Sequence, residues 1–326
     1  MTLTICSVTA MILAMLAVPL ATHAQPSGKV PRIGFLTWEA CPKEDSVFGV
    51  ALQRRGYAWG HTVQVVCRSA EGDHGRLAEA ATALVTERVD VIAALTHVAA
   101  YAAGRATQSI PIVMITSGDP VATGLVASLA RPGRNITGLT YYATELVEKR
   151  MQLLKEMIPG IARIAALANP ESAHVFGVYR IDAQRAARQL GLQLLVVDVS
   201  HARDLNQRFV GLVEGGAQGL LVLTDPMLSA QARRIADLAA QHRLPAIYWA
   251  PWFVEAGGLA AYSADYDELV RRAVSYLDRI LKGTKPADLP VEQPTTFQLV
   301  INVKTAKALG LTIPPSLLLR ADRLIE

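Results

Sequence analysis

The sequence predicts an α/β protein built on two doubly wound parallel sheets joined by a three-segment hinge. Strand-like apolar runs alternate with helical stretches along most of the chain, the βα repetition of parallel sheets covered by helices on both faces. The alternation pauses around Gly138 and then restarts, so it describes two units rather than one. Of the 326 residues, about 300 remain once an export segment is set aside, which exceeds one ordinary core and suits two lobes of roughly 150 residues each.

In the first half, strands are predicted at 32–36, 62–67, 91–95 and 112–115, followed by helices at 47–55, 77–87, 99–107 and 121–130. After Gly138, a helix at 145–157 precedes a strand at 164–167. Then come helix 178–190, strand 193–197, helix 205–214, strand 219–223, helix 229–242 and strand 246–248. The Gly257-Gly258 pair permits a tight turn into a strand at 259–262. A long amphipathic helix at 266–281 ends at Gly283, and a late strand at 297–303 leads into a helix at 304–309 that stops at Gly310. Two halves followed by a late strand and helix require three crossings between lobes. The segments 133–139, 251–262 and 289–296, rich in Gly, Pro or Thr, suit that task.

Hydrophobic residues make up 51% of the chain, enough for a core in each lobe. The net charge of +4 is spread without a run of like charges, so no nucleic-acid partner is expected. Residues 1–24 read as a signal peptide: 5–20 are apolar, and Thr22-His23-Ala24 before Gln25 forms a small-residue cleavage site, although no Lys or Arg precedes Lys29. The apolar stretch is shorter than the about 20 residues of a membrane span. Cleavage near Ala24 would deliver the chain to the periplasm. Cys6 lacks the context of a lipid attachment site. Cys41 and Cys67 are left, either as a disulfide in an oxidising compartment or as two buried thiols.

Two strings carry a resemblance. DPVATGLVASLARPGRNITGL at 119–139 and KPADLPVEQPTTFQLVINVKTAKALGLTIP at 285–314 resemble the ABC transporter substrate-binding proteins of the amino-acid-receptor type, whose relatives include tryptophan and other aromatic amino acid uptake proteins. The resemblance runs from about residue 32 to the last residue. It implies a two-lobed type I periplasmic-binding-protein fold, with 29–135 plus 262–288 as lobe one and 139–250 plus 296–326 as lobe two. It also implies an extracytoplasmic receptor that closes on a small-molecule ligand, foremost an amino acid or other small carboxylate, and delivers it to ABC permease subunits at the membrane. The protein is expected to be a monomer with no cofactor and no enzymatic activity.

In open parallel sheets, ligands lie beyond the carboxyl ends of the strands, where helix N-termini present free N–H groups. In the first half this selects Thr37, Trp38 and Glu39, then Thr96 with His97 as a wall, then Thr116, Ser117, Gly118 and Asp119. In the second half it selects Asn169 and Glu171, Thr224 and Asp225, and Trp249. Hydroxyls and helix-end amides suit a carboxylate, acids an ammonium, and aromatic rings an apolar side chain. Tyr141 and Tyr142 follow the first crossing and either line the cleft floor or pack under the hinge. Thr96 and Ser117 are equally placed to cap helices, and Asp119 and Asp225, each before a proline, to open turns or helices. Trp249 and Trp252 flank Pro251 as hinge packing or as a lid over the ligand.

Enzyme signatures are missing from the sequence. It holds no His-Glu-x-x-His, no GxxxxGK[ST] and no GxSxG, and its seven histidines are scattered. Sugar-sensing transcription regulators share the expected fold but carry an N-terminal helix-turn-helix of about 60 residues, whereas here the first strand begins at Arg32. A periplasmic sensor reporting to a membrane signalling partner is the alternative that sequence alone does not separate from transport.

Overall fold

A computed structural model describes residues 29–141 and 144–326; the predicted signal peptide and Tyr142 lie outside them. The first half runs β1 (Arg32–Thr37), α1 (Val47–Arg54), β2 (Gln64–Ser69), α2 (His74–Thr86), β3 (Val91–Ala94), α3 (His97–Ala106), β4 (Ile112–Ser117) and β5 (Ile136–Thr140). Its five strands form a wholly parallel sheet in the order β2-β1-β3-β4-β5. Every residue of β3 is buried, the continuous apolar run expected of a strand covered on both faces. Gly138 in β5 has φ +127°, and a Cβ there would meet the Met114 carbonyl oxygen at 2.2 Å, so only glycine lets β5 close on β4.

The chain continues with α4 (Thr144–Met157), β6 (Arg163–Ala168), α5 (Ala173–Gln189), β7 (Gln193–Asp198), α6 (Leu205–Glu214), β8 (Gly219–Val222), α7 (Pro226–Ala230), α8 (Ala232–Gln241) and β9 (Ala246–Tyr248). It ends with α9 (Pro251–Glu255), β10 (Ala260–Ala264), α10 (Tyr266–Leu281), β11 (Phe297–Asn302), α11 (Val303–Ala308), α12 (Pro315–Arg320) and β12 (Arg323–Ile325). The second sheet has the order β12-β11-β10-β9-β8-β6-β7, parallel except where β11 returns against β10. Although α10 follows a strand of the second sheet, its buried Val270, Ala273, Val274 and Leu277 pack with Ile33, Phe35, Val91 and Val113 of the first. The chain therefore passes between sheets after β5, between β10 and α10, and between α10 and β11.

Several expectations are corrected. The predicted helix at 121–130 is a series of turns: Gly124 takes φ +70°, the Ala127 amide bonds the Pro132 carbonyl at 3.0 Å, and the Leu129 carbonyl accepts from Val291 at 2.7 Å. The segment 133–139, expected as a crossing, largely forms β5. The segment 251–262 holds α9, whose Phe253 and Val254 are fully buried in the second core, so the passage comes later, at 264–266. The single helix predicted at 229–242 is divided into α7 and α8 at Gln231. The C-terminal α12 and β12 add an edge strand that the sequence pattern did not mark.

Candidate ligand-binding cleft

The carboxyl ends of both sheets meet at a cavity of about 380 Å³. From the first sheet it is lined by Thr37 at the end of β1 with Trp38, Glu39 and Ala40 just beyond. Leu95, Thr96 and His97 after β3 and Thr116 and Gly118 around the end of β4 complete that side. The second sheet supplies Thr224, Asp225, Pro226 and Ser229, where β8 turns into α7, and Trp249 and Trp252 beyond β9. Three tyrosines close the walls: Tyr141 after β5, Tyr179 on α5 and Tyr266 at the start of α10.

Asp225 is 2% exposed. Its Oδ1 accepts from the Leu228 amide at 2.9 Å, capping α7 ahead of Pro226, and its Oδ2 accepts from Asn169 Nδ2 at 3.2 Å. Asn169 lies just off the main cavity, in a small recess shared with Thr224 and Asp225. Its Oδ1 accepts from the Glu171 amide at 3.0 Å, so Glu171 opens a short turn rather than facing the main cavity. On the opposite side Glu39 stands at the mouth, and burial of its carboxyl pushes its pKa above the ordinary value. The Tyr266 phenol is pushed up to about 12, first by burial and then by the charges of Asp267 and Glu39.

The aromatic side chains form one edge-to-face series. Tyr141 meets Trp249 at 5.8 Å, Trp249 meets Trp252 at 5.0 Å and Trp252 meets Tyr266 at 6.0 Å between ring centroids. The Tyr141 hydroxyl donates to the Trp249 carbonyl at 2.8 Å, and Trp252 Nε1 donates to Ser229 Oγ at 3.0 Å. Both the first contact and the last join elements of different sheets. Two polar atoms of this wall, Thr224 Oγ1 and Trp249 Nε1, are buried without a hydrogen-bond partner among the described residues, an arrangement that a ligand would satisfy.

The first-sheet loop is held in place by other means. A disulfide joins Cys41 to Cys67 of β2, with Cα atoms 5.9 Å apart. The Ser69 hydroxyl donates to the Glu39 carbonyl, and the Gly72 amide to the Trp38 carbonyl at 3.0 Å. Thr96 caps α3, its Oγ1 accepting from the Ala99 amide at 3.5 Å, from a backbone at φ +87°. A β-branched residue there costs about 1–3 kcal/mol, and such strain gathers at functional sites.

Of the residues selected from sequence, Thr37, Trp38, Glu39, Thr96 and Thr116 line the cavity on one side and Thr224, Asp225 and Trp249 on the other. Asp119 does not. Its Oδ1 accepts from the Val121 and Ala122 amides at 3.0 and 2.9 Å, which makes it a turn opener. Ser117 ends β4. Sequence reasoning passed over Tyr179, Ser229 and Tyr266 because it looked only just beyond strands, and these three sit on helices. Tyr266 carried one usable signal: it opens a helix directly after an Asp that caps it, Asp265.

The family model described as ABC transporter substrate binding protein matches residues 34–325. A tyrosine-binding protein of Clostridioides difficile is 29% identical over 262 residues, 80% of this chain and 74% of that protein. Among solved structures, an ABC domain from Streptococcus pneumoniae in complex with L-Trp has a TM-score of 0.84 at 26% identity, covering 91% of this chain and 100% of that one. A ligand-free, open structure of a substrate-binding protein with adhesive properties from Clostridium difficile, also 26% identical and covering 91% of this chain and 99% of that one, has a TM-score of 0.67. The two-sheet architecture is the type I periplasmic-binding-protein fold, as the sequence predicts.

Proposed function

Because the chain belongs to the ABC transporter substrate-binding protein family, we propose that its cleft takes a small amino acid with an aromatic side chain and that the loaded protein, in the periplasm, delivers it to permease subunits at the membrane. The observation that carries this reading is the lining of the cavity. Six aromatic side chains surround a space about the size of one such molecule, with Asp225 and Glu39 facing it to hold an ammonium group. Trp249 Nε1 and Thr224 Oγ1, without a partner among the described residues, add two hydrogen-bonding atoms for its polar end. The greater similarity to the L-Trp complex than to the ligand-free open structure supports taking the described arrangement of the lobes as the ligand-holding one. The protein acts as a monomer, and the signal peptide directs its export.

The reading is tested by a thermal-shift screen of chain starting near Gln25 against aromatic and aliphatic amino acids, sugars and nucleosides, followed by titration calorimetry of the hits. A ligand at 100 times its Kd stabilises by about 2.7 kcal/mol, which moves the melting temperature measurably. A shift with L-tryptophan or L-tyrosine and none with sugars is expected. A shift with sugars or nucleosides alone would overturn the amino-acid reading.

A further inference from the structure

Behind the cleft stands a buried guanidinium. Arg150 on α4 is 2% exposed, and its Nε donates to the Tyr262 carbonyl of β10 at 2.8 Å. Its other polar neighbours are the phenols of Tyr141, Tyr179 and Tyr262, with Tyr141 close enough to hydrogen-bond. Nη2 is buried and has no hydrogen-bond partner among the described residues. Among the described residues no salt bridge joins a carboxylate to this cation, and the phenols of Tyr141, Tyr179 and Tyr262 are its main electrostatic neighbours.

A buried arginine ordinarily has an acid beside it, because taking a cation out of water is costly unless a counter-charge offsets it. Burial works against the charged form here, yet guanidinium keeps its proton in proteins, so the charge stays. Two acids line the cavity: Asp225 on the second-sheet wall and Glu39 at the mouth. Tyr141 and Tyr179 line the cavity and are also electrostatic neighbours of Arg150, so the same two side chains touch the cavity and the cation's surroundings. Through buried side chains such as these a charge is felt far more strongly than through water.

Building on the amino-acid reading above, we propose that Arg150 is a specificity-setting residue that acts through the Tyr141 and Tyr179 wall, selecting ligands that present a carboxylate to that wall while Asp225 and Glu39 take the ammonium. In its positioning role it holds the Tyr141 phenol where that group bonds the Trp249 carbonyl across the two sheets. The cleft thus has a polarity that fixes which way an amino acid enters.

The test is calorimetric titration with L-tryptophan and L-tyrosine and with the amide of each, which keeps the ammonium and ring and drops the carboxylate charge. Arg150→Met should lose about tenfold or more for the amino acids but no more than about threefold for the amides, and Arg150→Lys should retain most of the preference. Should Arg150→Met not fold, Arg150→Gln keeps hydrogen-bond donors without the charge and should show the same collapse of preference. Tyr141→Phe should weaken amino acid and amide alike, which separates positioning from charge. Equal losses for acid and amide in the Arg150 variants, or no preference for the acid in the unaltered protein, would overturn the inference alone. An unaltered protein that binds neither amino acid nor amide would overturn the amino-acid reading and this inference with it.

Discussion

Asp119-Pro120 and Asp225-Pro226 are the same dipeptide at equivalent places, just beyond β4 of the first sheet and β8 of the second. Locally they do the same work, since each aspartate accepts hydrogen bonds from amides two or three residues on. Their surroundings differ. Asp225 is buried, opens a helix and lines the cavity, whereas Asp119 opens a run of turns and does not line it. In the first sheet β4 is next to the edge and the Thr140 hydroxyl bonds the Gly118 carbonyl at 2.7 Å; Thr116 and Gly118 still line the cavity, but Asp119, one residue on, does not. In the second sheet β8 lies between β9 and β6, and its end opens on the cleft. A motif specifies the backbone at its own position; whether it lines the cavity depends on what the fold builds next to it, a helix after Asp225 and a run of turns after Asp119.

The sharpest test of that contrast is the pair of alanine variants. Asp225→Ala should weaken binding of an aromatic amino acid by about 100-fold, since a charge-assisted contact and the pairing of Asn169 go together. Calorimetry that finds the two aspartates equivalent would break the comparison. Next in size is the covalent tether of the first-sheet loop. Cys41 and Cys67 are 26 residues apart, so replacing both with alanine should cost about 3–4 kcal/mol in denaturant unfolding. Affinity should also fall, because the loop carries Trp38 and Glu39. Unchanged affinity in the doubly substituted protein would show that the loop holds its shape through the Ser69 and Gly72 bonds alone.

Trp249→Phe keeps a ring against Tyr141 but removes Nε1, and should weaken binding about tenfold if that buried N–H is answered by the ligand. A smaller effect is expected at Glu39. Its carboxyl is raised in the folded state above the ordinary 4.5, so the folded protein binds more protons than the unfolded chain. The contribution is therefore present below the unfolded value and lost as pH rises from about 4.5 through the raised value. Glu39→Gln should flatten that part of the melting-temperature profile. It should also remove a gain of about threefold in affinity for an ammonium ligand over the same window. Least of all, Asp119→Ala should leave affinity within about threefold and cost about 1 kcal/mol of stability for its lost hydrogen bonds to the Val121 and Ala122 amides.

Much of this was legible in the sequence because parallel α/β sheets are written in local pattern. The apolar runs of β1, β3 and β6 are buried on both faces, and the helices between them keep one apolar side, so element order followed from periodicity. The stretch at 121–130 misled because Leu125 and Val126 supply helix-like apolar spacing, while Gly124 and the bonds to Pro132 and Val291 hold it in turns. Most of the cleft was legible by the same logic, since strand ends of a parallel sheet are where ligands sit. Tyr179 and Tyr266 were not, because a tyrosine on an amphipathic helix looks the same whether it faces a core or a cavity.

The sequence by itself determined two runs of βα units, the positions of Thr37, Glu39, Thr224 and Asp225 at strand ends, and the family to which the chain belongs. Each depends on residues close together in the chain, or on strings long enough to be recognised. Tertiary structure alone decided that Asp225 rather than Asp119 lines the cavity, that Tyr141 bonds Trp249 from the other sheet, and that Arg150 is buried beside three tyrosines. The Tyr141 bond to Trp249 and the Arg150 bond to Tyr262 span 108 and 112 positions of the chain, and no local periodicity encodes which side chain from a distant element completes a wall.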